Sequence, residues 1–511
     1  MSGLVRRFLD RHDDARPCIL DARTHTYRDV VLGAARVARA LSTEGPLAGA
    51  RVAILVGPGA AFVEAFFGVL LAGGCVVVLS PLHPRPETRY FCEDAGVRAV
   101  LVSAAHASPA APLADSFAVR PLEPILESAG SIEAAEHDRR IADVDFPTEA
   151  PALQLYTSGT TGKPKGAVLT HGNLSIQPRL IGQAWGFTER DVLLHALPLH
   201  HMHGLVIALL TALAAGSTIR MRTFDAVAIW EEMKEATSFM AVPAMYHRLF
   251  LAFDVADGAT RERWSAHAKA LRLATSGSAA LPVNLAEKWR AITGHIPLER
   301  FGMTELGVVL TNRLEGERFA GCVGFPLPTV ETRVTTEDGT DVALGDAGEL
   351  WIRGPSMFAG YHDKPEETRK AFSADGWFQT GDTVRQVTEL GSDAESAPFK
   401  ILGRTSVDIL KSGGYKLSAL EIEEVLREHP AVSEVAVIGI ADEAWGERVV
   451  ACVVLGPGAT CDAATLRAFI RERLAAYKVP KDVHFLDALP KNALGKVLKP
   501  ALMAAIGPLH T

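Results

Sequence analysis

The chain lacks paired cysteines. Its six, Cys18, Cys75, Cys92, Cys322, Cys452 and Cys461, are scattered over 511 residues, and no Cys-x-x-Cys occurs. Nothing here reads as a disulfide framework, and the pattern predicts reduced, mostly core-filling thiols in a cytoplasmic compartment. Long hydrophobic runs are also missing. The longest, Ala65–Leu79, spans about 15 residues and is broken by Gly68, Gly73 and Gly74, too short for a spanning helix. It reads as a buried helix, a glycine turn and a strand over Cys75–Leu79. No basic patch stands out and the net charge is −8, which argues against nucleic acid as a partner. No signal peptide and no basic amphipathic anchor are expected. The first residues, MSGLVRRFLDRHDD, carry arginines, but their three aspartates oppose a transit peptide. No internal repeat is evident, and the sequence carries no signal of oligomeric state.

What is present is 48% hydrophobic and 22% charged, the balance of a soluble globular protein, at a length that implies two or more domains. Strand-like runs alternate with helical ones: strand 51–56, helix 59–71, strand 75–79, helix 86–95 with Pro86 in its first turn, strand 99–102. A second round follows, with strands at 192–196, 217–221 and 239–242 and helices at 204–214 and 226–235. This rhythm predicts an α/β fold with doubly wound sheets in a large N-terminal domain. Strands at 331–336, 349–354 and 399–402 add a β-subdomain, with 389–398 as an exposed loop. Near Arg404 the pattern changes to a small α+β unit, with helices at 419–428 and 463–476 and strands at 432–440 and 449–455. The expected division is 1–403 and 404–511.

The most informative stretch is Tyr156–Gly166, YTSGTTGKPKG. Glycines free the backbone to turn its N–H groups inward, and the hydroxyls and lysines add donors and positive charge, an inventory that suits a polyphosphate. It is not a Walker A loop: only two residues separate Gly159 from Gly162, and Pro164 follows Lys163. A flexible surface loop is the plainer alternative.

The string resembles the phosphate loop of the adenylate-forming superfamily of acyl-CoA synthetases, adenylation domains and luciferases. Further motifs stand in the order that superfamily shows: Ser276-Gly277-Ser278, Phe301-Gly302-Met303-Thr304-Glu305, Thr380-Gly381-Asp382, Gly403-Arg404, Lys411-Ser412-Gly413-Gly414-Tyr415-Lys416, and Pro490-Lys491-Asn492 with Gly495-Lys496. The resemblance implies ATP, Mg²⁺ and coenzyme A as cofactors, a small carboxylic acid as substrate, and a C-terminal domain that is mobile.

The resemblance assigns roles. Thr157, Ser158, Gly159, Thr160, Thr161 and Lys165 would hold the β- and γ-phosphates, Thr304 the α-phosphate, and Glu305 the metal, a hard oxygen ligand for a hard cation. Read alone, Glu305 could instead cap a helix start. Phe301 would stack on adenine, where tyrosine is usual, with Gly277, Ser278 and Ala279 lining the base. Asp382 and Arg404 would take the ribose. Lys496 would reach the carboxylate and α-phosphate during adenylation. Rotation about Val407–Asp408 would then exchange it for Lys411, Ser412, Gly413, Gly414 and Lys416 beside the thiol.

The segment LPLHHMHG holds His200, His201 and His203. A zinc site is disfavoured, because i, i+1, i+3 spacing is poor for one metal and no carboxylate or cysteine lies within the segment. By resemblance His201 flanks the acyl entrance, with His203 deeper and Met303 and Ser278 beside the substrate. Arg248, in AVPAMYHRL, needs an anionic partner or an exit to water. Local strings including HMHGL, VPAMYHRL and SGSAALP are similar to the malonyl-CoA synthetase branch, in which the matching arginine holds the second carboxylate. That implies a malonate or methylmalonate ligase with Arg248 as anchor. The aliphatic run Leu306–Leu310 departs from the bacterial pattern and leaves a medium-chain monocarboxylate open. A carrier-protein-loading enzyme and a non-catalytic nucleotide-binding protein remain as rivals.

Overall fold

The structure, a computed structural model, describes residues 3–43, 45–128, 147–157, 164–412, 415–442, 445–474, 476–492 and 495–506. Strand Arg51–Leu55 lies between Cys75–Val78 and Ala99–Val102, all parallel, with Val52 opposite both Val76 and Ala99. These strands are buried on both faces, which is why they read as unbroken apolar runs rather than as alternation. Ala118–Pro121 closes one side of this seven-stranded sheet. Pro151–Thr157, the antiparallel Lys165–Thr170 and the short Gly360–Tyr361 close the other. Helix Ala60–Leu71 carries almost no polar face and is buried nearly all round, with Phe67 stacked on Phe8 at 3.8 Å.

The second sheet has nine strands. At its centre Val192–His195, Ser238–Ala241 and Leu273–Ser276 run parallel, followed by Leu298–Met303 and its antiparallel partner Gly307–Thr311. The far edge is a hairpin from the start of the chain, Pro17–Leu20 with Thr24–Thr26, parallel to Thr218–Met221. Strands this short leave no readable period, so the sequence does not announce them. The helix expected over 204–214 is a π-helical stretch, His203–Leu210, passing into an α-helical Thr211–Ala215. Wide turns of this kind are commonest at functional sites, and this one begins on a candidate residue.

An antiparallel four-stranded sheet, Glu331–Thr335, Gly348–Arg353, Phe378–Gln386 and Phe399–Arg404, forms the β-subdomain. It ends at Arg404, and the next strand, Ile409–Ser412, already belongs to the C-terminal sheet with Tyr415–Ser418, Val432–Asp442, Gly446–Leu455 and Asp482–Phe485. Helices Ala419–Arg427 and Ala463–Arg471 cover that sheet with their own apolar core. Among the described residues no helix is long and apolar enough to cross a membrane.

Candidate active site

The phosphate loop leaves the first sheet at Thr157 and rejoins it at Lys165, its register partner across the strand pair. Ser158, Gly159, Thr160 and Thr161 lie outside the described residues. The base of the loop is fixed by hydrogen bonds: the Tyr90 phenol donates to the carbonyl of Pro164 at 2.9 Å, and the Tyr156 phenol to Asp94 at 2.8 Å. Beyond the loop, Thr170 starts helix His171–Ala184 through a reciprocal cap with Asn173, whose amide also reaches the carbonyl of Met357 at 2.8 Å. That last bond draws in the segment that carries Tyr361.

Tyr361 is the residue that joins the phosphate and metal candidates. Its phenol donates to Glu305 Oε1 at 2.7 Å, and the Lys165 ammonium stands 5.2 Å from its ring centre. Burial and the Glu305 carboxylate both push the phenol pKa up, so it remains a donor. Lys165 is also paired with Glu367 at 2.5 Å. Glu305 itself is buried and sits in the turn of the hairpin Leu298–Met303/Gly307–Thr311, not at a helix start. A bulge between Phe301 and Gly302 interrupts that hairpin, the sort of irregularity that re-aims side chains beside a site. Phe301, Met303 and Thr304 follow in order, each half-buried.

Asp382 and Arg404 face each other in the β-subdomain. Arg404 Nε lies 3.1 Å from Asp382, and its Nη1 donates to the carbonyl of Thr380 at 2.7 Å. Burial raises the Asp382 pKa to about 6, against the opposing pull of Arg404 and Lys496. The Lys496 charge is therefore felt at the ribose candidate. Its loop also meets the large domain elsewhere: a side chain at Gly495 would stand 3.2 Å from Ala244. The second lid motif points away. Lys411 pairs with Glu337 on the β-subdomain at 3.2 Å, and Ser412 is buried in the lid. Lys416 pairs in register with Lys411, and Gly413 and Gly414 lie outside the described residues.

On the acyl side, Arg248 is exposed. Its helix, Pro243–Val255, turns it to solvent, where its guanidinium lies 4.6 Å from the ring centre of Phe224, the favourable cation–π placement for an exposed arginine. The buried arginine is Arg300, one residue before Phe301, at 4% exposure. Among the described residues its Nε and Nη2 have no hydrogen-bond partner and no carboxylate pairs with it. Burial pushes its pKa down to about 9. The guanidinium fills the space where a side chain at Gly277 would stand, 2.4 Å from Nε, so only glycine fits there.

His203 is the neighbour. Its Nδ1 lies 3.2 Å from Ser278 Oγ, while its buried Nε2 has no partner among the described residues. Burial first, then the Arg300 charge, hold its pKa well below the usual value, so the ring is neutral. Ser278 is held at φ +69°, a strained value for a residue with a side chain, and Ala279 beside it is exposed. The His201 and His200 ring centres lie 4.1 Å apart with the rings tilted by 47°, and His83 stands edge-on 5.1 Å from His200. Burial lowers His201 to about 4 and His200 to about 2. Among the described residues no group of three metal-ligating side chains converges. Glu305 is a single buried carboxylate, a hard oxygen donor.

Arg300 was not among the expected residues, yet its signal was present. Glu299 and Arg300 are adjacent charges inside a strand that leads directly into Phe301-Gly302-Met303-Thr304-Glu305. Charges inside a buried strand call for a structural or functional partner.

The AMP-binding enzyme family matches residues 5–362, and the AMP-binding enzyme C-terminal domain matches residues 421–496. The chain belongs to this family. It is 39% identical to the mitochondrial malonate–CoA ligase ACSF3 of Bos taurus, over 95% of this chain and 87% of that protein. It superimposes on ATP-bound MatB from Rhodopseudomonas palustris with a TM-score of 0.88 at 34% identity, over 98% of each chain. A malonyl-CoA ligase complex with methylmalonyl-CoA and AMP bound gives a TM-score of 0.67, also at 34% identity, over 94% of this chain and 97% of that one.

Proposed function

We propose that this chain is an ATP-dependent, AMP-forming acyl-CoA ligase whose acid is malonate, with methylmalonate as the branched alternative. The observation that carries the substrate is Arg300: a buried cation with two unsatisfied nitrogens, beside a neutral His203 with an unsatisfied Nε2. A buried charge left alone is costly, and a second carboxylate is the ligand that completes this one. A monocarboxylate would leave the guanidinium unpaired. The distal carboxylate therefore belongs to Arg300 and His203, and Arg248 takes no part.

The near carboxylate attacks the α-phosphate of ATP and expels pyrophosphate. Both reactants are anionic, so the chain's contribution is oriented positive charge and donors. Thr157 and Lys165 lie at the two ends of the phosphate loop. Lys165 can exchange the Glu367 carboxylate for a phosphate, because the pair is partly exposed and its Coulomb gain is modest. Thr304 serves the α-phosphate. Glu305, oriented by Tyr361, would hold magnesium, which supplies charge neutralisation on the phosphates. Phe301 stacks the adenine between strand and solvent, Gly277 and Ala279 border it, and Asp382 with Arg404 takes the ribose. Lys496 bears on the reacting oxygens in this arrangement. The thiol of coenzyme A then displaces AMP from the acyl-adenylate, with the lid hairpin Lys411–Lys416 next to pantetheine after the lid has turned about 404–408. Six unpaired cysteines support a reducing, cytoplasmic setting.

The test is CoA-dependent AMP release with malonate, methylmalonate, acetate, butyrate, octanoate and benzoate. Malonate or methylmalonate giving the highest kcat/KM supports the reading; a monocarboxylate in first place overturns the substrate.

A further inference from the structure

A buried lysine in the C-terminal domain is not used by the chemistry above. Lys499 opens helix Lys499–Ile506 and is 8% exposed. Its ammonium lies 2.5 Å from Asp408 Oδ1 and 2.7 Å from Glu423 Oε1. The two carboxylates differ in what else they hold. Glu423 belongs wholly to the lid: it accepts the N–H of Val437 at 2.9 Å and the guanidinium of Arg427 at 2.8 Å. Asp408 belongs to the connector between the two domains. Its Oδ2 accepts the N–H of Arg404 at 3.0 Å, its own N–H donates to the Arg404 carbonyl at 2.7 Å, and its carbonyl accepts the N–H of Ala419 at 2.7 Å.

The connector is therefore a closed turn, tied outward by two groups of Asp408: its carbonyl to the Ala419 N–H at 2.7 Å and its Oδ1 to Lys499. Arg404 is the last residue of the large domain's β-subdomain sheet, and Ile409 the first of the lid sheet. At Gly403, φ is +132° and an added Cβ would stand 2.4 Å from the Asp408 Cβ, so the turn closes only with glycine there. Asp408 Oδ1 is the oxygen left over, and Lys499 takes it. Lys499 lies three residues beyond Lys496. Lys496 is tied to the flanking segment: its N donates to Asn492 Oδ1 at 2.9 Å, Asn492 N to the Lys496 carbonyl at 2.9 Å, and Leu498 N to the Pro490 carbonyl at 2.8 Å. The position of Asp408 is thus transmitted over a short path to the Lys496 ammonium.

We propose that Lys499 is a positioning residue of the ligase: through Asp408 it ties the lid to the connector in the arrangement that presents Lys496 to the adenylating site, and this tie parts when the lid turns for thioester formation. The Glu423–Lys499 pair, internal to the lid, turns with it and keeps the ammonium compensated. Burial works to lower the Lys499 pKa, but Glu423 and Asp408 outweigh it and keep the group charged. The inference rests on the two-step ligase reading and not on which acid is used.

Two half-reactions separate a positioning role from a structural one. ATP–pyrophosphate exchange reports adenylation, and thiolysis of a supplied acyl-adenylate by coenzyme A reports the second step. Asp408→Asn leaves Lys499 paired with Glu423, so the lid keeps its internal ion pair. Losing a charge-assisted bond at the tie is expected to lower exchange by about tenfold while thiolysis stays within about twofold. Lys499→Gln is expected to do the same, and Lys499→Arg to restore exchange to near the wild-type rate. Equal loss of both half-reactions in Asp408→Asn, or no loss of exchange, would overturn the proposal. If Lys499→Gln fails to fold, Asp408→Asn decides alone. Wild-type protein inert in both half-reactions would instead overturn the ligase reading.

Discussion

Tyr361 donates its phenol hydrogen to Glu305 at 2.7 Å while its ring carries the Lys165 ammonium. One side chain thus sets the spacing between the Lys165 ammonium and the buried Glu305 carboxylate, the proposed metal ligand. It does so from the strand Gly360–Tyr361, which pairs with the strand that Lys165 begins.

Tyr361→Phe keeps the ring and removes the hydrogen bond. A hydrogen bond to a charged group contributes about 1.5–3 kcal/mol, so ATP–pyrophosphate exchange is expected to fall about 10- to 100-fold. The Mg²⁺ concentration for half-maximal rate is expected to rise, because Glu305 loses its orientation. Exchange at the wild-type rate with an unchanged Mg²⁺ requirement would remove Tyr361 from the site.

Lys496→Ala removes a charge that bears on the adenylating site and not, in this reading, on the thiol. Such a loss is expected to cost about 10²–10³ in the adenylation rate. Thiolysis of a supplied acyl-adenylate is expected to persist, and equal loss of both steps would contradict the role.

Glu299 gives a pH signature. Burial raises its pKa to about 8, with the N–H of Gly321 and Lys400 opposing and Glu424 assisting. The folded state therefore holds a proton that the unfolded chain releases above its ordinary value near 4.5. Stability from this group is present at low pH and is lost as pH rises from there toward 8. Glu299→Gln cannot ionise, so its Tm is expected to match wild type near pH 5 and to exceed it at pH 8.5. A Tm difference that does not change with pH would show that Glu299 is not protonated in the fold.

Much of this was legible in the sequence, for reasons that particular residues make plain. Strand Ala99–Val102 was read to the residue, because a strand buried on both faces is a pure apolar run with turns at each end. The short hairpin Pro17–Thr26 was not, because its partner Thr218–Met221 lies some 200 residues away and only tertiary pairing makes it a strand. The motif residues Thr157, Lys165, Phe301, Glu305, Asp382 and Lys496 are singled out in the sequence by the order of their motifs. The acyl anchor is where the sequence and the proposed reading differ. Arg248 and Arg300 are both arginines next to motif segments, and only burial separates them: one lies over Phe224 at the surface, the other is enclosed with two unpaired nitrogens. Tyr361 is not legible in the sequence, because a tyrosine in a two-residue strand has no period and no neighbour in sequence that shares its task.

The most direct measurement compares kcat/KM for malonate and propionate in wild type, Arg300→Met and Arg248→Ala. An unpaired buried guanidinium is expected to cost propionate about 1.5–3 kcal/mol, so wild type should prefer malonate by about 10- to 100-fold. Arg300→Met is expected to erase that preference, chiefly through loss of malonate turnover, and Arg248→Ala to leave it within about twofold. A preference that survives Arg300→Met and collapses in Arg248→Ala would contradict the assignment of the distal carboxylate to Arg300.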